Sequence, residues 1–269
     1  MGPERQEPSL RATSLRVIGP GRAGLSLSRA LAGAGWDVEP ALGRGDDVRG
    51  AASGVDLLVI ATPDAVVADV AAAVEPVAGA VVAHVAGSLG LDVLDGHARR
   101  ASVHPLVALP DAEVGAERLR CAWFALAGDP FVRSVVDALG GRWFTVPDDD
   151  RAAYHAAACI ASNHLVALLG QAERVGASAG VPRQAFLDLV RATVDNVAAL
   201  GPAAALTGPA ARGDQQTLDR HRAALDPSEL DAYDAMVDLA RRLVDTTSVL
   251  CGSVGPMAPQ IRKEAGGSS

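Results

Sequence analysis

Cysteine is scarce in this chain of 269 residues. Its three cysteines, Cys121, Cys159 and Cys251, are an odd number, lie far apart and form no CxxC pair. Disulfide frameworks and zinc sites need paired or clustered cysteines, so the sequence predicts neither, and it predicts no other metal site. We expect free thiols, mostly buried.

Lysine is nearly missing. Of the 24 basic residues, 23 are arginine, and the one lysine is Lys263, close to the carboxyl end. Lysine is a common proton donor and covalent catalyst in enzymes. Any such chemistry in the body of this protein must therefore use other side chains.

Long apolar runs and blocks of like charge are also missing. No stretch of about 18 uninterrupted apolar residues occurs and residues 1–13 are polar, so neither a transmembrane helix nor a signal peptide is predicted. The formal net charge of −8 is spread along the chain, which argues against nucleic acid or a membrane surface as the main partner. We expect a cytoplasmic protein that binds a small molecule.

The first half of the chain alternates between strand and helix patterns. Short apolar runs of strand length, separated by segments of helical periodicity, occupy residues 15–19, 37–43, 55–63, 80–87 and 100–104. Residues 105–120 have no clear pattern, and the stretch 122–147 has the pattern of closing units of the same sheet. This predicts an α/β fold with a doubly wound, mostly parallel Rossmann sheet.

Strand patterns end at the sequence PDDDR, residues 147–151, and helical patterns take over. Helices are predicted over 151–179, 183–200, 215–225 and 227–250. The expected organisation is a dinucleotide-binding Rossmann domain, an all-α domain for substrate binding and dimerisation, and two disordered tails, over residues 14–147, 148–258, 1–13 and 259–269.

The sequence VIGPGRAG places Gly19, Gly21 and Gly24 in the spacing GxGxxG. The motif alone is weak in a chain with 28 glycines, but here it follows a predicted strand and opens a predicted helix. Gly19 would allow a tight turn, Gly21 would let a pyrophosphate approach the backbone N–H groups, and Gly24 would let the helix pack closely on the strand. The context predicts a dinucleotide site.

The end of the second predicted strand decides between NAD and NADP. An acidic residue there would bind the ribose 2′-hydroxyl, whereas an arginine would bind a 2′-phosphate. Glu39 lies in mid-strand, Arg44 lies where the strand should end, and Arg22 is in the glycine loop. NADP is favoured over NAD, and the residues expected to bind it are Gly19, Gly21, Arg22, Ala23, Gly24, Arg44, Thr62 and Pro63.

Ligands of open α/β sheets bind beyond the carboxyl ends of the strands. His84, Ser88 and His104 lie at or near the ends of the fourth and fifth predicted strands, where a nicotinamide ring would lie. Each has a plain alternative: His84 and His104 as histidines satisfied within the fold, and Ser88 as a helix cap.

Two polar residues of the helical half are further candidates. Asn163 lies in the middle of an otherwise apolar helix, where an unpaired amide would cost about 1–3 kcal/mol, so it needs a partner in a substrate or a neighbouring helix. Arg212, in the loop LTGPAARGD, could hold a substrate carboxylate in bidentate fashion. The alternative is a pair with Asp214 or a helix cap that only stabilises the loop.

These motifs together resemble a superfamily of two-domain reductases that includes 6-phosphogluconate dehydrogenase, pyrroline-5-carboxylate reductase and ketopantoate reductase. The resemblance rests on VIGPGRAG, VIATPD, HVAGSLGLDVL, SVHPL, ASNHLVALL and LTGPAARGD, which span residues 17–214. The chain looks most similar to a branch whose helical domain was long of unknown function, and some of whose members are an alternative class of ketopantoate reductase.

The resemblance implies residue roles and exposes one departure. Asn163 matches an asparagine that follows a lysine by four residues in the β-hydroxyacid dehydrogenases, but Cys159 stands at the lysine position. Another group must then supply the proton: His104 is the first choice, followed by His164, Ser88 and Tyr154. Asn163 would orient a carbonyl and Arg212 would bind a carboxylate.

Three functions follow from these observations. The first is an NADP-dependent reductase of a small 2-keto acid, such as ketopantoate in pantothenate synthesis. The second keeps the fold with an imine, a β-hydroxy acid or a prephenate-like acid as substrate. The third is an NADP-binding sensor or assembly protein without turnover. The resemblance also implies a homodimer formed through the helical domain.

Overall fold

The computed structural model describes residues 12–250, with side chains described to residue 244. Contacts divide the chain into two compact units, one ending at His164 and the other beginning at Leu165. The predicted tails, 1–13 and 259–269, lie outside the described residues, except for residues 12 and 13. Cys251 and Lys263 also lie outside them.

A seven-stranded sheet forms the centre of the first unit. The order across the sheet is β2-β1-β3-β4-β5-β6-β7; β1 to β5 run parallel, β6 runs antiparallel to β5, and β7 runs parallel to β6. The strands are β1 (Ser14–Ile18), β2 (Asp37–Val38), β3 (Leu57–Ile60), β4 (Val81–His84), β5 (Arg100–Pro105), β6 (Trp123–Gly128) and β7 (Arg142–Thr145). The predicted α/β fold with a mostly parallel Rossmann sheet is confirmed.

Both faces of the central strands are covered, as their nearly continuous apolar sequences predict. In β3, Leu57 and Val59 belong to the core on one side of the sheet, and Leu58 and Ile60 belong to the core on the other. The helices of this unit are α1 (Arg22–Gly33), α2 (Val67–Ala73), α3 (Ala112–Leu119), α4 (Arg133–Ala138) and α5 (Arg151–Cys159), with short 3-10 turns at 64–66, 91–94, 130–132 and 148–150.

The second strand is shorter than predicted because Pro40 interrupts it. Only Asp37 and Val38 pair regularly with β1, and a proline cannot donate to the ladder. Pairing resumes at Leu42, which forms an isolated parallel bridge with Ile18. The chain therefore leaves the sheet directly after Leu42.

Residues 105–120, which show no clear pattern in the sequence, contain helix α3. Asp111 caps it by accepting hydrogen bonds from the backbone N–H groups of Glu113 and Val114, both at 2.9 Å. An aspartate at the N-cap is a recognisable start signal. Gly115 obscures the helical pattern because glycine is a poor helix former, and it is required there since a Cβ would lie 2.1 Å from Oγ of Ser26 on α1.

The second unit is entirely helical over the residues described. Its helices are α6 (Leu165–Ala177), α7 (Arg183–Leu200), α8 (Pro202–Ala205), α9 (Pro209–Arg212), α10 (Gln215–Ala224) and α11 (Pro227–Leu250). The predicted helices 183–200, 215–225 and 227–250 are present as α7, α10 and α11, whereas the predicted helix 151–179 comprises α5 of the first unit and α6. The loop LTGPAARGD contains the one-turn helix α9. Between α5 and α6, residues Ile160–His164 form a π-helical turn.

The boundary between the two units lies later in the sequence than the change from strand to helix patterns predicts. The sequence places the boundary between 147 and 148, whereas the contacts divide the chain after His164. Helix α5 belongs with the sheet because Arg151 is fully buried and donates from Nη1 to Oγ of Ser102 on β5 at 2.9 Å. This buried hydrogen bond attaches α5 to β5.

Among the described residues, one helical segment, Asp148–Ala177, has the length and composition that could cross a membrane, with a mean hydropathy of 1.3 over its best window. Core helices of soluble proteins and signal sequences satisfy the same criteria of length and composition. None of that window is buried within the chain. The cytoplasmic location inferred from the sequence stays a prediction.

Candidate functional site

The glycine loop is a close-packed turn between β1 and α1. Gly19 has φ of +103°, and a Cβ there would lie 2.7 Å from the carbonyl of Ala61. A Cβ on Gly24 would lie 2.2 Å from the carbonyl oxygen of Gly19. Only glycine fits at either position. The roles predicted for these two glycines, a tight turn and a close helix approach, match this geometry.

The amino end of α1 is open to a ligand. Gly21 is its N-cap, with extended backbone and no side-chain hydrogen bond to the helix, and a Cβ on Gly21 would meet no atom within 4 Å. Free space therefore adjoins the start of this helix at Gly21, next to the exposed Arg22. A helix amino terminus of this form binds phosphate groups through its N–H donors and its dipole.

Two residues that could contact the ribose differ in their partners. Glu39 directly follows β2, which ends at Val38, so the prediction that it lies in mid-strand is wrong; it forms an ion pair with Arg16 at 3.5 Å. Arg44 is exposed, two residues after the end of the sheet pairing at Leu42. Within the described chain no ion pair occupies Arg44, so its guanidinium is available for a phosphate.

Gly19, Gly21 and Gly24 form a glycine cradle, and the loop after β3 forms one wall of it. A Cβ on Gly19 would lie 2.9 Å from the backbone nitrogen of Thr62, and Oγ1 of Thr62 is buried without a hydrogen-bond partner among the described residues. A buried hydroxyl without a partner is unusual and needs one. The cradle of Gly19 and Gly24, the open amino end of α1 and this hydroxyl fit a dinucleotide. Pro63 is exposed beside them.

A histidine and a tyrosine meet at the carboxyl end of β5. Nδ1 of His104 lies 2.6 Å from the phenol oxygen of Tyr154 on α5, and the two rings contact edge to face with centroids 5.5 Å apart. Both side chains are half-buried. Of the proton donors ranked from the sequence, the first and the last are thus a hydrogen-bonded pair.

A third aromatic side chain, His155, lies beside this pair. The ring of His155 lies edge to face with His104, centroids 6.0 Å apart, and Sγ of Cys159 lies 3.9 Å from Nε2 of His155. The loop after β4 passes tightly over both histidines: a Cβ on Gly87 would lie 2.7 Å from His155 and 2.9 Å from Nε2 of His104. Gly87 therefore lets the backbone approach the imidazoles.

The environment keeps the pair uncharged near neutral pH. Burial, followed by the neighbouring charges of His155 and Arg151, lowers the pKa of His104 from 6.5 to about 4. Burial also raises the pKa of the Tyr154 phenol, while the positive charge of Arg151 opposes that rise. A neutral imidazole and a protonated phenol hold two protons, of which their hydrogen bond uses one. The other is available for donation.

His84 is a core histidine. It is fully buried, and its Nε2 donates to the carbonyl of Gly90 at 3.1 Å. Burial and the charge of Arg151 lower the pKa of His84 to about 4. The plain alternative for His84, a histidine satisfied within the fold, holds for Nε2 only, because Nδ1 is buried without a hydrogen-bond partner among the described residues. Ser88 does not cap a helix; its hydroxyl donates to Oδ2 of Asp64 at 2.8 Å.

The prediction that Asn163 is buried is wrong. Asn163 lies in the π-helical turn and is exposed within the chain, as are its neighbours from Ala161 to Val166. The error arises because an apolar helix was equated with a buried one, and the argument from an unpaired buried amide falls with it. π-turns occur often at functional sites, so the role of Asn163 stays a prediction.

Arg212 ends helix α9 and is exposed. Of the alternative, an ion pair with Asp214 or a helix cap, the structure contains the cap: Asp214 caps α10 by accepting from the N–H of Thr217 at 3.0 Å. No ion pair engages the guanidinium of Arg212 in the described part of the helical unit. Its predicted role as a carboxylate ligand stays open.

Comparisons with known proteins agree with this architecture. Residues 126–240 match the model of a family described as a domain of unknown function, DUF2520. A comparison with curated proteins finds no match.

Several solved structures share the fold. One, from Bacteroides fragilis, carries the provisional description NADP oxidoreductase, with 20% identity, 86% of this chain and 99% of that chain covered, and a TM-score of 0.72. A reductive aminase from Aspergillus terreus in complex with NADPH and ethyl levulinate has 16% identity, coverage of 88% and 99%, and a TM-score of 0.66. Pyrroline carboxylate reductase of Plasmodium falciparum with NADP bound has 14% identity, coverage of 90% and 100%, and a TM-score of 0.53. At these identities the likeness shows the fold.

The polar cluster at β5 consists of His104, Tyr154, His155, Arg151 and Asp64, and the sequence predicts only its first two members. Arg151 served only to mark a boundary, and His155 and Asp64 were not considered. A helical signal was present: Arg151, Tyr154 and His155 are separated by three and four residues and so share one face of α5. A polar face on a helix adjoining a predicted active site would have pointed to them.

Proposed function

We propose that this protein is an NADP-dependent reductase that transfers hydride to a small carbonyl or imine compound. The observation that carries the proposal is the 2.6 Å contact between His104 and Tyr154. This contact lies at the carboxyl end of β5, and the glycine cradle follows the carboxyl end of β1 in the same parallel sheet. Nucleotide binding and proton donation are the two protein functions that such a reduction needs.

The nucleotide would be held by the chain's own donors. The N–H groups at the amino end of α1 would bind the pyrophosphate, Oγ1 of Thr62 would find its missing partner, and Arg44 would bind the 2′-phosphate. Glu39 is engaged by Arg16, which favours NADP over NAD. The solved structures with NADP or NADPH bound support the same cofactor. When bound, NADPH supplies the hydride.

The His104–Tyr154 pair would supply the proton in place of the missing lysine. In one tautomer Nδ1–H of His104 donates to the phenol oxygen, and the phenol O–H is free; in the other the phenol donates to Nδ1, and Nε2–H is free. As hydride arrives at the carbon, the substrate oxygen or imine nitrogen takes this proton and becomes a hydroxyl or an amine. The phenol is left as phenolate in both cases: it releases its O–H proton directly, or Nε2–H of His104 passes to the substrate while Nδ1 takes the phenolic proton. General acid catalysis of this kind contributes about 10²–10⁴-fold.

A 2-keto acid such as ketopantoate is the first substrate class that we infer, because Arg212 is an exposed guanidinium without an ion-pair partner in the described helical unit. Planar guanidinium groups bind carboxylates in bidentate fashion. Asn163 would orient the carbonyl oxygen. An imine is the second class, and the reductive aminase and imine reductase among the similar structures favour it.

The deciding experiment follows NADPH oxidation at 340 nm with a panel of 2-keto acids that includes ketopantoate, a panel of cyclic imines, and ketone–amine mixtures. We expect turnover with one panel. We also expect Asn163→Ala and Arg212→Ala each to reduce kcat/KM at least about tenfold, which corresponds to about 1.4 kcal/mol. Tight NADPH binding without turnover on any panel would instead support a sensor.

We further propose that the protein is a homodimer through its helical unit. Val166, Leu189 and Leu200 are 69%, 63% and 60% exposed within the chain, and monomeric proteins rarely leave such apolar helices uncovered. A second copy is the occupant that we infer. Light scattering after gel filtration should give a dimer mass, and Leu189→Glu should shift it towards the monomer, whereas Val66→Glu in the first unit should not. Recovery in detergent micelles alone would favour a membrane instead.

A further inference from the structure

Arg151 joins the two elements that carry the proton-donating pair. Its side chain is fully buried, and Nη1 donates to Oγ of Ser102 at 2.9 Å. Ser102 precedes His104 by two residues on β5, so both side chains are on the same face of that strand. Arg151 precedes Tyr154 by three residues on α5, so these two share a helix face. One hydrogen bond therefore fixes the register in which Tyr154 meets His104.

The guanidinium of Arg151 is poorly compensated for a buried charge. Its Nε lies 3.4 Å from Oδ1 of Asp148, whose side chain is 45% exposed, and Nε and Nη2 form no hydrogen bond within the described residues. Burying a charge with so few partners opposes folding, and a well-packed apolar residue would often be more stable. Stability alone does not account for an arginine at this position.

We propose that Arg151 is a positioning residue for proton delivery, which sets α5 against β5 and places a fixed positive charge beside the His104–Tyr154 pair. The inference rests on the proposed reductase function. A nearby positive charge disfavours a proton on the imidazole and favours release of the phenolic proton. Arg151 thereby contributes to the low pKa of His104, after burial and His155, and opposes the rise that burial causes in the pKa of Tyr154.

The other charges near His104 come from every neighbouring element and do not cancel this effect. His155 on α5 and His84 on β4 act in the same direction as Arg151, and Asp64, in the 3-10 turn after β3, acts against them. Asp148 is the counter-charge of Arg151 itself. Of the groups that face the pair, Arg151 carries a charge that no accessible pH removes.

The test measures the titration of the histidines directly. In NMR spectra of protein labelled with ¹³C-histidine and bound to NADP, we expect Arg151→Gln to raise the midpoint of His104 by about one pH unit or more. Arg151→Lys keeps the charge and should leave the midpoint within about half a unit. Arg99→Gln, which removes an arginine paired with Asp129 elsewhere in the unit, is the control and should change nothing.

The positioning role has its own readout. Ser102→Ala removes the strand anchor but keeps the charge, and we expect kcat to fall at least tenfold with an unchanged Kd for NADPH. This small substitution also keeps the proposal testable if Arg151→Gln does not fold. An unmoved His104 midpoint in folded Arg151→Gln, or wild-type kcat in Ser102→Ala, overturns the proposal. The titration needs no turnover, so a shifted midpoint in a protein without reductase activity would reject the proposed function and leave the effect of the charge standing.

Discussion

The phenol oxygen of Tyr154 lies 2.6 Å from Nδ1 of His104, although 50 residues of sequence separate them. The helical unit contains a second pair with almost the same geometry: Nδ1 of His221 lies 2.7 Å from the phenol oxygen of Tyr233, with ring centroids 6.0 Å apart. That second pair joins α10 to α11, where we propose no chemistry. The chain thus offers its own control for the first.

Removing the phenol oxygen of Tyr154 should reduce turnover without weakening cofactor binding. We expect Tyr154→Phe to lower kcat by about 10²-fold or more, since a general acid contributes about 10²–10⁴-fold, while the Kd of NADPH stays the same. Tyr233→Phe should leave kcat unchanged. Equal effects of the two substitutions on kcat, measured in the 340 nm assay, would remove Tyr154 from proton delivery.

Cofactor choice should depend on Arg44. We expect Arg44→Ala to weaken NADPH binding by about tenfold or more, because one charge-assisted contact to a phosphate contributes about 1.5–3 kcal/mol, and to leave NADH binding nearly unchanged. Arg49→Ala is the matched control: it lies in the same loop, but its guanidinium is paired with Asp47 at 2.6 Å. Fluorescence titration measures both. If NADPH and NADH lose equally, Arg44 does not contact the 2′-phosphate.

Two glycines of the loop should separate folding from nucleotide binding. Gly24→Ala places a methyl group 2.2 Å from the carbonyl of Gly19, so we expect a loss of stability of about 1–3 kcal/mol together with weaker binding. Gly21→Ala meets no protein atom within 4 Å and should keep the wild-type Tm while NADPH binding falls. Gly50→Ala, also unobstructed, should change neither. Wild-type NADPH affinity in Gly21→Ala would mean that the phosphates bind elsewhere.

Stability should fall as the pH drops from about 6.5 to about 4. The pKa values of His84 and His104 are lowered to about 4 in the folded state, so in this window the unfolded chain binds more protons, and protonation favours unfolding. We expect a loss of about 2 kcal/mol or more in urea unfolding, which levels off below pH 4 as far as these histidines are concerned. His84→Gln should flatten the slope, and His164→Gln, an exposed histidine, should not. An unchanged slope in His84→Gln would contradict the lowered pKa of His84.

Local patterns account for the parts of the molecule that sequence predicts well. The glycine loop is a strand, a turn and a helix in one short segment, and Gly19 and Gly24 are required by contacts within or beside that segment. The place of Arg44 is predicted only in part: it follows the isolated bridge at Leu42 by two residues, whereas the regular pairing of β2 already ends at Val38. The sequence does not predict helix α3, because Gly115 breaks its helical pattern. That glycine is required by a contact with Ser26 on another helix.

The polar cluster at β5 could not be predicted because it depends on long-range register. His104 and Tyr154 were each candidates, yet nothing local states that they touch; that depends on the direction of β6 and β7 and on the anchor between Arg151 and Ser102. Asn163 was placed in the core because apolar composition was the only guide. Composition alone cannot distinguish burial within a chain from exposure on its surface.

The reversal of the last two strands has a consequence for the order in which the chain is built. Because β7 runs opposite to β5, the chain leaves the sheet near the amino end of β5, and α5 then returns along that strand, with Arg151 at Ser102 and Tyr154 at His104. A fragment that stops at Pro147 would retain every residue of the glycine cradle and half of the proton-donating pair. In the proposed reductase, the residues for cofactor binding and those for proton supply are thus separated along the chain, and the second set is complete only when the nascent chain has passed Tyr154.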